Sequence, residues 1–99
     1  MRAICLARLD KTRPVLVLTR ALAQTRLTRV TVATITSTVR GISSEVPVGP
    51  ANGLDHESVV SLDNIQTIHR DDLGRQIGYL LPHQEHQLAL AIRLAFDLP

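Results

Sequence analysis

Two arginines flank an apolar run near the start of the chain, and their chemistry suits phosphate. Arg13 and Arg20 enclose Pro14 to Thr19, six consecutive residues that suit a buried strand. A guanidinium is almost always charged, and its rigid fork of N–H donors matches two phosphate oxygens at once. A guanidinium held at the end of a strand therefore favours the binding of a phosphate group.

Basic residues are concentrated in the first 40 positions. This part holds eight Lys or Arg and one acid, whereas residues 41 to 99 hold three Lys or Arg and eight acids, so formal charges of +7 and −5 add to the net +2. The basic residues of the first part are Arg2, Arg8, Lys11, Arg13, Arg20, Arg26, Arg29 and Arg40. The asymmetry favours a polyanionic partner, although a solvated positive surface explains it equally well.

Several kinds of site are excluded by composition. Cys5 is the only cysteine, which leaves no internal disulfide and no multi-cysteine zinc site. His83, Glu85 and His86 form only a weak metal signal, and we predict no metal and no cofactor. Apolar runs are far shorter than the roughly 20 residues that cross a bilayer, and no export signal is visible. We therefore expect a cytoplasmic protein that does not enter a membrane.

Short β-rich segments separated by turn signals dominate residues 12 to 80. We predict strands at 15–18, 29–39, 44–48, 59–62 with a continuation toward Ile68, and 76–80. From Pro82 the sequence predicts a C-terminal amphipathic helix that buries Leu88, Ile92, Ala95 and Phe96. Because strands and helices do not alternate, this order indicates an antiparallel sheet or small barrel capped by a helix. Residues 1–99 are long enough for one domain.

Five blocks, in order over nearly the whole chain, resemble one family. The blocks are LDKTRPVLVLT, VATITSTVRG, SEVPVGPANGL, SVVSLDNIQTI and LGRQIGYL. Together they resemble the MazF/PemK (Kid) toxins, endoribonucleases of bacterial type II toxin–antitoxin systems. The resemblance implies a mainly β, SH3-like antiparallel barrel with a C-terminal helix, working as a homodimer. It also implies metal-independent, sequence-specific cleavage of single-stranded RNA (mRNA, in some members rRNA or tRNA), inhibition of translation and growth, and silencing by a MazE-like antitoxin.

The resemblance also implies roles for individual residues. The family's catalytic arginine precedes its first core strand and matches Arg13, and its catalytic threonine matches Thr36. We further predict RNA contacts at Ser37, Asp63 and Asn64, which match groove positions, and at Arg20 and Arg40, which match none and are treated as general phosphate contacts.

Three departures from the family pattern affect these roles. The loop before Arg13 is shorter than in relatives, which usually carry a glycine, a glutamate and a glutamine there. Gln66 and His69 stand where relatives have an arginine and an aspartate, and Ser61 replaces an arginine of the PemK/Kid branch. Whatever the longer loop contributes to substrate binding or to the acid/base apparatus of relatives is absent here, and only Asp63 of the PemK/Kid arginine–aspartate pair is kept.

Metal-free RNA cleavage uses the neighbouring 2′-hydroxyl as nucleophile. The protein accepts its proton, protonates the leaving 5′-oxygen and stabilises the charge on the phosphorane. Arg13 suits the last task, and Thr36 can hydrogen-bond a phosphate oxygen or the 2′-hydroxyl. Asp63 and His69 are the titratable candidates for the base. Histidine is better matched to neutral pH, but no matched family position supports His69.

Other interpretations of the same residues stay open. Arg13 can pair with a carboxylate such as Asp10, and Thr36 can be a hydroxyl bonded within the sheet. A toxin of the related CcdB type poisons DNA gyrase with the same fold but ends in Trp-Gly-Ile, whereas this chain lacks tryptophan and ends in Phe-Asp-Leu-Pro. A third alternative is a degenerate relative that binds RNA or antitoxin without cutting.

Overall fold

The computed structural model describes residues 1–24 and 26–99 and contains six strands and one long helix. The strands are β1 (Ala3–Arg8), β2 (Thr12–Val17), β3 (Arg29–Thr36), β4 (Glu45–Val48), β5 (Ser58–His69) and β6 (Leu73–Tyr79). The helices are α1 (Ala21–Gln24) and α2 (Pro82–Ala95), with 3-10 turns at Pro50–Asn52 and Arg70–Asp72. Within the described ranges, no helix is long and apolar enough to span a membrane.

All six strands belong to one antiparallel sheet in the order β4-β5-β3-β2-β1-β6. The predicted fold class, mainly β with a C-terminal helix, is confirmed. β2 ends in three buried residues: Leu16 packs into one apolar cluster, and Val15 and Val17 pack into another on the opposite face. The prediction that this strand is buried on both faces is therefore correct. Arg13 lies on the same strand, ahead of these buried residues, so its backbone is held by the sheet.

Helix α2 covers the first of these clusters with Leu88 and Ala91. The prediction that Phe96 belongs to the core is wrong, because its side chain is 56% exposed. The helix ends at Ala95, and Asp97 has a positive φ of 53°, so the chain turns away from the helical path at Phe96. The helical spacing in the sequence put Phe96 on the same face as Ile92, but it did not show that the helix ends at Ala95.

Some predicted boundaries differ from the observed ones. β1 and α1 were not predicted, since β1 lacks a β-branched run and α1 is only four residues long. β3 ends at Thr36 rather than at residue 39, because the amide of Thr38 bonds to the hydroxyl of Thr36 at 3.1 Å instead of joining a ladder. The segment from 59 to 68 is one continuous strand, β5.

A large bulge interrupts the pairing of β3 with β5. The register jumps from Ala33 opposite Ile65 to Thr34 opposite Ser61, which leaves residues 62–64 of β5 without partners on β3. Bulges re-aim side chains and are frequent beside active sites. Asp63 and Asn64 both lie in this bulge, next to the end of β3.

The segment that follows the first 3-10 turn is fixed against β6. The side-chain amide of Asn52 donates to the backbone carbonyl of Tyr79 at 2.8 Å and to the side chain of Gln84 at 2.7 Å. Gly53 has a φ of 86°, and a Cβ there would overlap the carbonyl of Ile77. A Cβ at Gly78 would likewise overlap the carbonyl of Asn52. Only glycine permits this close approach of residues 52–53 to residues 77–78.

Candidate active site

Arg13 and Thr36 lie side by side at one end of the sheet. β2 and β3 are antiparallel, with Val15 opposite Thr34, and continuing this register by two residues brings Arg13 opposite Thr36. Directly opposed residues have Cβ atoms about 5 Å apart. The two residues predicted to be catalytic are therefore neighbours on rigid strands.

Two cavities meet at this pair, and both are lined by Arg13 and Thr36. One, of about 440 Å³, is here named the basic cavity and is also lined by Lys11, Ser37, Leu54, Asp55, His56 and Arg75. The other, of about 590 Å³, is named the polar cavity and is also lined by Asp10, Arg40, Ser61, Asp63, Asn64 and Gln66. A chain that crosses the Arg13–Thr36 pair passes from one cavity into the other.

Four of the five predicted RNA contacts lie in these cavities. Ser37 lines the basic cavity, and Arg40, Asp63 and Asn64 line the polar cavity. Arg20 lines neither cavity and lies beyond the opposite end of β2. Its predicted role as a general phosphate contact stays a prediction, and it has no place in the Arg13–Thr36 site.

His69 lies too far from the pair to act as its base. β5 places His69 opposite Arg29, at the start of β3, whereas Val59 lies opposite Thr36 at its end. Thr36 follows Arg29 by seven residue steps, which span about 23 Å of strand. The other candidate, Asp63, lines the polar cavity together with Arg13 and Thr36, and one of its carboxylate oxygens accepts a hydrogen bond from the hydroxyl of Ser44.

Asp10 also belongs to the site. From the sequence it was considered only as a carboxylate with which Arg13 could pair. Its carboxylate accepts bonds from Nε of Arg13 at 2.8 Å and from Nη2 at 2.9 Å, in a bidentate pair. This pairing uses one edge of the guanidinium and leaves the Nη1 protons and one Nη2 proton free. The signal in the sequence was the three-residue spacing between Asp10 and Arg13 in a hairpin this short.

The ion pair stays charged throughout the neutral range. The hydrogen bond from Arg13 holds the pKa of the Asp10 carboxyl well below its usual value, and the same bond raises the pKa of Arg13. A carboxylate with a lowered pKa in the folded protein stabilises the fold above its unfolded pKa and loses that contribution only as the pH falls through the folded value. Asp10 therefore stays ionised beside Arg13 at neutral pH.

The bond made by Thr36 fixes the orientation of its hydroxyl. Thr36 Oγ1 accepts the amide proton of Thr38, which occupies one acceptor position. The hydroxyl proton and a second lone pair stay available. A ligand at the boundary of the two cavities can receive a hydrogen bond from Thr36 and from the free edge of Arg13 together.

The histidines of α2 do not build a metal site. Glu85, which lies between His83 and His86, accepts a hydrogen bond from Nε of Arg2 at 3.1 Å. Among residues 1–24 and 26–99, no group of three or more His, Cys, Asp or Glu side chains is arranged to hold a metal ion.

The fold and site define a small antiparallel β domain with a C-terminal helix and a cationic cleft, and comparison with known proteins gives the family. Residues 6–96 match the model of the PemK-like, MazF-like toxin of type II toxin–antitoxin systems. Endoribonuclease MazF3 of Mycobacterium tuberculosis (strain H37Rv) is 63% identical over 98 residues, covering 99% of this chain and 95% of that protein. A probable endoribonuclease, MazF5 of the same strain, is 35% identical over 86% of this chain and 79% of its own length.

Solved structures agree with this match. The Mycobacterium tuberculosis toxin MazF-mt6 superposes with a TM-score of 0.97 at 62% identity, covering 99% of both chains. A mycobacterial endoribonuclease in complex with its cognate antitoxin superposes with a TM-score of 0.86 at 26% identity, covering 98% of this chain and 93% of that one. The chain therefore belongs to the PemK-like, MazF-like toxin family, the family of the MazF endoribonucleases. The predicted family and enzyme class are confirmed.

Proposed function

We propose that this chain is the toxin of a type II toxin–antitoxin system and cleaves single-stranded RNA without a metal ion. The observation that carries the proposal is the placement of Arg13 beside Thr36 at the boundary of two cavities, with one edge of the guanidinium free. Similarity to MazF3 at 63% identity supports the same activity. The substrate class is mRNA, rRNA or tRNA, and its cleavage in the cytoplasm stops translation and growth.

The mechanism follows from the free donors at the site. The 2′-oxygen of the nucleotide before the cut attacks phosphorus, the bond to the 5′-oxygen breaks, and a cyclic phosphate and a 5′-hydroxyl are formed. The Nη protons of Arg13 bind the non-bridging oxygens, where negative charge accumulates, and Thr36 hydrogen-bonds the same group or the 2′-hydroxyl. Of the two candidates for the base, Asp63 and His69, Asp63 is the one that lines a cavity together with Arg13 and Thr36.

Sequence specificity is assigned to the polar cavity. Asp63, Asn64 and Gln66 present carboxylate and amide groups there, which suit hydrogen bonds to base edges. No tryptophan occurs in the chain, and its two aromatic residues, Tyr79 and Phe96, line neither cavity. Recognition by hydrogen bonds, rather than by stacking on aromatic rings, is therefore the proposed mode.

The proposed partners are a second copy of the chain and a MazE-like antitoxin. Four apolar side chains in the C-terminal segment are more than half exposed, namely Leu90, Leu94, Phe96 and Leu98. Exposed apolar residues grouped on one segment are typical of a protein interface and support a homodimer of this single domain, residues 1–99. The antitoxin is supported by the structural match to an endoribonuclease bound to its cognate antitoxin.

The proposal is tested by incubating the purified protein with a mixed pool of single-stranded RNA in EDTA and mapping the cut ends. Arg13→Ala is the paired variant. We expect cuts at a recurrent motif with the wild-type protein and none with the variant. An uncut pool would contradict the proposal. A DNA gyrase supercoiling assay on the same samples then separates a gyrase poison from a relative that only binds RNA.

Substituting Asp10 tests the orienting role of its carboxylate. Asp10→Asn keeps the size of the side chain but removes the charge-assisted bidentate pair, so Arg13 samples more orientations. We expect the single-turnover cleavage rate to fall about 10–100-fold, because misplacement of a catalytic group by about 1 Å costs that order of rate. RNA affinity, measured by fluorescence anisotropy, is expected to be unchanged or higher, since a negative charge is removed. Equal cleavage rates in both proteins would contradict the role.

A further inference from the structure

The basic cavity contains two cations, Lys11 and Arg75, that no carboxylate of the described residues neutralises. Lys11 and Arg75 line it, both are exposed, and among the described residues neither forms an ion pair. By contrast, Arg2, Arg8 and Arg13 are each paired with a carboxylate, at 3.1, 3.2 and 2.8 Å. Unpaired cations that converge on one cavity repel each other unless an anion occupies it.

Neighbouring elements of the sheet carry these two cations. Lys11 belongs to the tight hairpin between β1 and β2, and Arg75 lies on β6, the neighbour of β1 on its other side. The segment that follows Gly53 also lines the cavity, with Asp55 and His56. Asp55 lies within 4 Å of neither cation, so the donors of Lys11 and Arg75 are left for a ligand.

The two cavities differ in charge, and this difference indicates what each one takes. The basic cavity carries Lys11, Arg13 and Arg75 against one carboxylate. The polar cavity carries two arginines against three carboxylates, namely Asp10, Glu45 and Asp63. A nucleic acid that crosses the Arg13–Thr36 pair places its backbone phosphates more favourably in the basic cavity and its bases in the polar cavity.

We propose that the basic cavity is a second phosphate-binding subsite, in which Lys11 and Arg75 bind the RNA phosphodiester next to the scissile one. This inference rests on the proposed RNA cleavage and adds a contact beyond the Arg13–Thr36 pair. Lys11 supplies a mobile ammonium and Arg75 a planar fork, so one phosphate receives both charges. The subsite fixes the register of the RNA while Arg13 binds the phosphate that is cut.

The test measures the salt dependence of RNA binding. The probe is a fluorescent RNA oligonucleotide that contains the mapped cut site with a 2′-deoxy sugar at the cleaved position, which binds without being cut. Titrations between about 50 and 200 mM salt give the slope of log K against log salt, which is about −0.7 for each phosphate contact on a single strand. The proteins are wild type, Lys11→Gln/Arg75→Gln and Arg93→Gln. Arg93 is an exposed arginine on α2 that lines neither cavity.

The double variant is expected to bind more weakly and to lose about 0.7 of the slope. Arg93→Gln is expected to keep the wild-type slope. Oligonucleotides with one neutral methylphosphonate, placed on either side of the cut, identify the phosphate. One of these two oligonucleotides is expected to bind the wild-type protein more weakly than the unmodified RNA does. The same methylphosphonate is expected not to weaken binding to the double variant any further.

Two results would overturn the inference. One is a double variant with the wild-type slope, and the other is a methylphosphonate effect that persists in it. A double variant that retains RNA binding but loses binding to a polyglutamate peptide would assign the cavity to an acidic protein segment instead, and it would also overturn the RNA subsite. Failure of the proposed function has a different signature, because the wild-type protein would then leave the RNA pool uncut.

Discussion

Replacing Arg13 by lysine is expected to lower the rate of RNA cleavage by about 10²–10³-fold, although the positive charge is kept. Lysine is a point charge on a flexible stem and cannot bind Asp10 and two phosphate oxygens at once in fixed geometry. In this protein the guanidinium uses Nε and Nη2 for Asp10 and directs its other edge elsewhere. We therefore expect the loss of rate to come from the lost geometry of the guanidinium, since the charge is kept.

Arg8→Lys is the matched control for that experiment. Arg8 pairs with Asp72 at 3.2 Å and lines neither the basic nor the polar cavity. Single-turnover rates at saturating protein isolate the chemical step, and circular dichroism establishes that both variants are folded. An Arg13→Lys protein that cuts within about threefold of the wild-type rate would show that charge is sufficient, against the magnitude expected of a preorganised donor.

Periodicity and turn signals predicted the strands that position the site. The unbroken apolar run after Arg13 indicated a strand buried on both faces, and Val15, Leu16 and Val17 are buried in this way because the sheet is covered on both sides. The family resemblance matched Arg13 and Thr36, and the register of β2 with β3 places them together. Whether they catalyse cleavage stays a prediction until the variants are measured.

Side-chain pairing and strand ends were the features that periodicity did not reveal. The Asp10–Arg13 pair depends on how the hairpin closes, which apolar spacing does not encode. The exclusion of His69 depends on the pairing of β3 with β5 over its full length. The exposure of Phe96 depends on where α2 ends, which one positive φ at Asp97 decides. Each is a long-range or terminal effect, whereas the sequence pattern is local.

Replacing Thr36 by valine is expected to lower the cleavage rate by about 10²-fold or more, because a single preorganised donor at a reacting phosphate contributes on that order. Valine has the same shape and a good β propensity, so strand β3 is expected to form normally. Only the amide of Thr38, which lies at an exposed position, loses its side-chain acceptor, and water replaces it. The variant therefore tests the contribution of the hydroxyl to cleavage without a change in the fold.

Two further substitutions make the result of Thr36→Val decisive. Thr36→Ser keeps the hydroxyl and is expected to restore the rate to within about tenfold of wild type, since the donor that sets the effect is present again. Thr31→Val removes another hydroxyl from β3, one that bonds to Thr67 at 3.2 Å and lines neither cavity, and is expected to leave cleavage unchanged. If Thr36→Val and Thr31→Val cut equally fast, the threonine at the boundary of the cavities is a sheet residue, and catalysis rests on Arg13 and the carboxylates around it.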